Sequence, residues 1–253
     1  MESLEDRIER LVEGIADKHD EAKASHVRQL LSDLASAGVG GFDKFVSKLE
    51  RASGTGSEFA GTLREGVYAR YFSRAGAHVT FEPEGSKGPD LCVVVAGANA
   101  NIEIKRLLEG EILQPTDLEA WYRDETEDDF DPGGRDRWTD KVRGVITDAA
   151  SQLVKNEANV VVVSDWSMTG TRGNFRRAVQ LLLAEIIENG TYGRISAVQY
   201  DANFLGQTNS YLWANPSADV TLPREVVEML RLAAHDKAEA ANEVLRRALV
   251  NEE

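Results

Sequence analysis

The stretch Gly88-Pro89-Asp90-Leu91-Cys92-Val93-Val94-Val95, with Asn101-Ile102-Glu103-Ile104-Lys105-Arg106-Leu107 a few residues on, decides the fold. Leu91 to Val95 is a short apolar run rich in valine, and Asn101 to Leu107 alternates polar and apolar with period two, so both read as strands. Gly97-Ala98-Asn99-Ala100 between them has hairpin length and chemistry. His78 to Pro83 reads as a further strand, separated by Gly85-Ser86-Lys87-Gly88-Pro89, and the three make a meander.

Working outward, Phe59, Leu63, Val67 and Tyr71 recur at helical steps from Ser57 to Arg74, closing before Gly76. Downstream, a helix is expected from about Trp138 to Lys155. The strand Asn159 to Ser164 follows, whose unbroken valines suit a strand covered on both faces. A helix from Asn174 to Glu188, a strand from Ile195 to Tyr200, a short strand from Ser210 to Trp213 and a terminal helix from Arg224 to Val250 complete the pattern. The fold class is therefore α/β, with a core of helix, three-strand meander, helix and strand, and added helices at both ends. Leu4, Ile8, Leu11 and Ile15, then Val27, Leu30, Leu31 and Leu34, mark residues 1–52 as a helical arm with a boundary near residue 53. The core is expected over 53–215, with an irregular insertion at about 108–137, and a C-terminal helical segment over 216–253.

The 43 acids against 29 bases leave a net charge of −14, which argues against a protein that coats nucleic acid with its whole surface. Charge is nevertheless segregated. Acid gathers from Asp124 to Asp131, and arginines at Arg135, Arg137 and Arg143 and again at Arg172, Arg176 and Arg177, so a basic groove on an acidic body is open. The acidic run is expected to turn away from a phosphate backbone or to cover that groove. No apolar run approaches the length needed to span a bilayer, and the acidic, amphipathic start lacks the features of a secretory signal. No membrane association and a cytoplasmic location are expected, in keeping with the single cysteine, Cys92, read as a small buried thiol.

Two residues apart on a strand, Glu103 and Lys105 project to one face while Ile102 and Ile104 project to the other. Asp90 opens the neighbouring strand, so antiparallel pairing would bring its carboxylate close to Glu103. Two carboxylates and the main-chain carbonyl of Ile104 form an all-oxygen set, which suits magnesium or manganese and not zinc. An ammonium at Lys105 would orient water or stabilise charge on phosphoryl oxygens. The alternative is a surface ion pair of Glu103 and Lys105, with Asp90 as a turn residue. The phosphate-loop pattern of nucleotide hydrolases is absent from both glycine-rich segments.

Pro89-Asp90, twelve intervening residues and Glu103-Ile104-Lys105 resemble the motif of the PD-(D/E)xK nuclease superfamily, the restriction-endonuclease-like proteins. The resemblance covers roughly residues 57–165 and implies a metal-dependent phosphodiesterase acting on nucleic acid, expected to be DNA. It also implies Glu65, in the helix before the meander, as a further metal ligand, and Gln152, on the helix after the motif, as a catalytic-site residue. The family often pairs that glutamine with a tyrosine four residues on; here the position is Asn156. Without the resemblance, Glu65 and Gln152 read as solvated helix positions. A catalytically silent binding or assembly module on the same fold is the second reading. One candidate site per chain favours a homodimer for duplex cleavage, through the Leu4 to Ile15 stripe or through Val226, Leu230 and Ala233, unless those faces pack on the chain's own core.

Overall fold

The computed structural model describes residues 3–18, 21–53, 56–83, 85, 88–107, 137–165, 172–189, 192–204 and 207–250. The expected insertion, with Asp124 to Asp131 and Arg135, lies outside them. The described residues form seven α-helices and a six-stranded mixed sheet of order β1-β2-β3-β4-β5-β6. The helices are α1 (Leu4–Lys18), α2 (Glu21–Ser36), α3 (Phe42–Ala52), α4 (Gly56–Arg74), α5 (Arg137–Ala149), α6 (Arg172–Asn189) and α7 (Arg224–Val250). The strands are β1 (His78–Phe81), β2 (Leu91–Val95), β3 (Ala98–Leu107), β4 (Asn159–Asp165), β5 (Ala197–Phe204) and β6 (Gln207–Ala214). No helix among the described residues is long and apolar enough to cross a membrane.

Two compact units result: Met1–Ile104 with Leu222–Lys237, and Lys105–Thr221 with Ala238–Glu253. No division falls near residue 53. The helices expected to form a separate arm pack instead with α4 and the meander, because their apolar stripes are core: Leu11, Ile15, Leu30, Leu31 and Leu34 are all buried. Val226, Leu230 and Ala233 of α7 are buried too. The Lys237 ammonium lies 4.4 Å from the centre of the Tyr68 ring of α4. Both stripes offered for a homodimer are thus largely consumed within the chain.

In the first unit, α1 starts with a reciprocal cap: Asp6 N–H donates to Ser3 Oγ and Ser3 N–H to Asp6 Oδ2. Helix α4 stops at Gly76, whose φ of 90° allows Ala77 N–H to reach back to Phe72 O. The glycine-rich break after α2 has a packing reason. Gly40 N–H donates to Val79 O and Gly40 O accepts from Phe81 N–H, so this segment lines the outer edge of β1. A Cβ at Gly40 would stand 2.8 Å from Thr80 Oγ1.

The β1–β2 and β2–β3 pairs are antiparallel, with Phe81 opposite Leu91 and Leu91 opposite Ile102. Strand β3 begins at Ala98 and pairs it with Val95, so the hairpin loop is only Ala96-Gly97, shorter than the four residues expected. Both have positive φ, 50° and 83°, the geometry of a type I′ turn.

In the second unit, β4 and β5 run parallel and β5 and β6 antiparallel. Every residue of β4 is buried, as its unbroken valines imply. Val142 and Ile146 of α5 and Phe175, Ala178 and Leu182 of α6 share one core with Val161, Val163 and Tyr200. Helix α5 ends earlier than expected, in a single 3-10 turn, Ala150–Gln152, because Leu153 turns extended and Asn159 ties down the loop through Val154, Glu157 and Arg194. Asn156 occupies a left-handed position there, φ 59°, which asparagine tolerates and tyrosine does not favour.

Candidate active site

The site in the first unit is assembled by one aromatic stack. Phe45 of α3 lies on Phe81 of β1 with ring centres 4.2 Å apart and planes 9° from parallel. One helical turn beyond Phe45, Lys48 is thereby carried to the end of β1. Its Nζ donates to both oxygens of Glu65, at 3.0 and 2.9 Å. It also lies 3.1 Å from Glu82 Oε1 and 3.8 Å from Asp90 Oδ1.

Each carboxylate is delivered by a different element. Glu65 comes from α4, whose close approach to α3 depends on Gly66: a Cβ there would lie 2.5 Å from the Phe45 ring. Glu82 and Asp90 extend the β1–β2 ladder by one step, since Glu82 N–H donates to Asp90 O at 2.8 Å. Glu82 has φ 43°, a left-handed conformation that costs a non-glycine residue about 1 kcal/mol. Asp90 Oδ2 accepts the main-chain N–H of Ile104 at 2.8 Å, so the aspartate is pinned to the strand that carries the rest of the motif. Carried one step past Leu91 opposite Ile102, the register sets Asp90 opposite Glu103, which is buried.

Carboxyl groups of three residues thus converge on one ammonium. Burial pushes the Glu65 carboxyl up, the nearby Asp90 charge pushes it further, and Lys48 opposes this only in part, leaving it at about 8. Burial alone would lower the Lys48 ammonium, but Glu65, Asp90 and Glu82 outweigh that penalty and raise it above the usual lysine range.

In the second unit, Lys105 Nζ donates to Gln152 Oε1 at 3.2 Å. Gln152 lies on the 3-10 turn and not on a regular helix. Arg143, expected to line a groove, instead pairs with Glu185 of α6. Arg176 is exposed and Arg177 half-buried, while the side chains of Arg137 and Arg172 lie outside the described residues. Cys92 is half-buried, more accessible than expected of a core thiol.

The expected ligands Glu65, Asp90, Glu103 and the carbonyl of Ile104 supply the donor chemistry of a hard cation. Their arrangement differs from the expectation. Among the described residues, no group of three or more histidine, cysteine, aspartate or glutamate side chains is disposed as a ready metal cage. Glu65 and Asp90 converge on an ammonium instead, and Lys48 and Glu82, neither of them expected, complete the cluster. The only local hint of Lys48 was its place one turn after Phe45 on the apolar side of α3, and of Glu82 its place directly after β1. No family model matches this chain, and no curated protein and no solved structure is found to match it.

Proposed function

We propose that the protein is a magnesium- or manganese-dependent nuclease that hydrolyses phosphodiester bonds in DNA, on a restriction-endonuclease-like core. The hydrogen bond from Ile104 N–H to Asp90 Oδ2 carries this reading, because it joins the two halves of the motif that sequence spacing alone leaves apart. The order α4, β1, β2, β3, α5, β4 supports it, as does the contact of Lys105 with Gln152.

In this reading Asp90, Glu103, Glu65 and the Ile104 carbonyl would hold the cation. A bound metal would supply polarisation of the phosphate and acidification of the attacking water. Lys105 places its ammonium beside the developing phosphoryl charge, and Gln152 orients it. Incubation with linear, circular and branched DNA and either metal, alongside Asp90→Ala and Lys105→Ala, tests this. Metal-dependent cleavage lost in both variants is expected; equal cleavage by variants and parent would overturn it.

The occupation of the carboxylate cluster by Lys48 favours a second reading, a catalytically silent module of the same fold that binds nucleic acid or a protein partner. Calorimetric titration with manganese separates the two. A working site binds the metal and loses it in Glu103→Ala, whereas a silent one binds nothing specific.

A further inference from the structure

We propose that Lys48 is the resident counter-ion of the carboxylate site, holding Glu65, Glu82 and Asp90 together until a divalent cation displaces its ammonium. This inference rests on the cation-binding part of the function proposed above. It adds Lys48 and Glu82 to the site and gives the lysine a positioning role.

The geometry is that of an ammonium only partly matched to its surroundings. Lys48 makes short contacts to Glu65 and Glu82, but Asp90 Oδ1 stands at 3.8 Å, beyond hydrogen-bond length. The other Asp90 oxygen is held by Ile104 N–H. Lys48 Nζ thus lies within 3.8 Å of oxygens from three carboxyl groups and closes to hydrogen-bond length on only two of them. A divalent cation carries twice the charge of the ammonium, and its oxygen ligands close in to roughly 2.0–2.6 Å, well inside the spacing that the ammonium maintains.

Displacement requires a lysine that can leave without unfolding its helix. Phe45 stacked on Phe81 holds the α3 backbone in place, so the movement falls on the flexible four-carbon stem of Lys48. That side chain is 28% exposed, against 11% for Glu65, which gives the ammonium a route to water that the buried carboxylate lacks. Glu82 then has a defined part. Its left-handed backbone turns its side chain onto Lys48, a conformation that needs a compensating contact to persist.

Amine acylation of the unaltered protein, read by peptide mass spectrometry, follows the lysine directly. Manganese is expected to raise labelling of Lys48 several-fold, whereas sodium chloride at equal ionic strength leaves it unchanged, and Glu103→Ala abolishes the rise. Calorimetry on Lys48→Met should show manganese binding tighter by about tenfold, the scale of one competing charge at a partly buried site. If manganese binds the parent but Lys48 labelling does not rise and Lys48→Met binds no tighter, the counter-ion role is wrong while the metal site stands. If manganese binds neither protein, both the counter-ion role and the metal-dependent reading fall.

Discussion

Phe45 lies face to face on Phe81, and this contact between residues 36 apart in the chain decides where Lys48 reaches. Both rings are almost wholly buried. Phe45→Ala should therefore destabilise the protein by about 3–5 kcal/mol, through lost burial and an unfilled cavity. Phe45→Leu should cost less and keep the fold while loosening Lys48. Denaturant unfolding measures the first effect, and higher acylation of Lys48 without metal reports the second.

Asp90 combines a structural and an electrostatic task, and two substitutions separate them. Asp90→Asn keeps an oxygen for Ile104 N–H and removes the charge, so it should cost at most about 1 kcal/mol of stability. Asp90→Ala removes the acceptor as well and should cost about 1–3 kcal/mol more, because a backbone donor loses its partner. Both should abolish manganese binding. Thermal melts beside calorimetry check the pair; equal stability of the two variants would mean that the Ile104 contact contributes nothing.

Glu65 predicts the sign of a pH dependence. Its folded value of about 8 lies above the ordinary 4.5, so between those values the folded state binds more protons than the unfolded chain. Stability contributed by protonated Glu65 is present at acid pH and is lost as pH rises from about 5 through 8. Lys48 adds no slope there, since its ammonium is charged in both states; its contribution is lost only above the usual lysine range. Metal-free unfolding at pH 5.5 to 8, a range chosen to lie within the interval that Glu65 titrates, should show falling stability in the parent and a flatter profile in Glu65→Gln.

The meander turn offers a stabilising change far from any chemistry. Ala96 is exposed and held at φ 50°, while Gly97 already supplies the second left-handed position of the type I′ turn. Asparagine tolerates this conformation better than alanine. Ala96→Asn should raise stability by about 0.5–1 kcal/mol, measured by denaturant unfolding with an unchanged slope.

Local periodicity made most of the elements legible. The valine run of β4, the alternation of β3 and the helical stripes of α1, α2, α4 and α7 each carry their own pattern within a few residues. The placement of Asp90 against the strand that carries Glu103 and Lys105 was legible for the same reason: strand parity and a hairpin-sized interval depend on neighbouring residues. Lys48 and Glu82 were not. Lys48 looks like a helix surface lysine until Phe45 meets Phe81, and Glu82 looks like a strand-end residue until its left-handed backbone turns it toward the cluster. The partners of the N-terminal helices were not legible, because an amphipathic stripe tells that a face is buried, not against what. Likewise the end of α5 depends on Asn159, seven residues beyond Gln152, gripping the loop with its side chain.

The contact between Lys105 and Gln152 yields the prediction that bears most directly on turnover. The 3.2 Å bond joins an ammonium on β3 to an amide oxygen on the 3-10 turn, and that turn is held by the Asn159 contacts just beyond it. If Lys105 stabilises phosphoryl charge, Lys105→Met should lower kcat by about 10²–10³ with little change in manganese affinity. Gln152 acts only through Lys105, so Gln152→Ala should lower kcat by less, on the order of tenfold, and Gln152→Glu, which keeps an acceptor, should recover part of it. The double variant should be no slower than Lys105→Met alone, because the positioning contact has nothing left to position. Single-turnover cleavage of labelled duplex DNA gives all four rates. Multiplicative losses in the double variant would mean that Gln152 acts independently of Lys105, and an unchanged rate in Lys105→Met would remove the lysine from the mechanism.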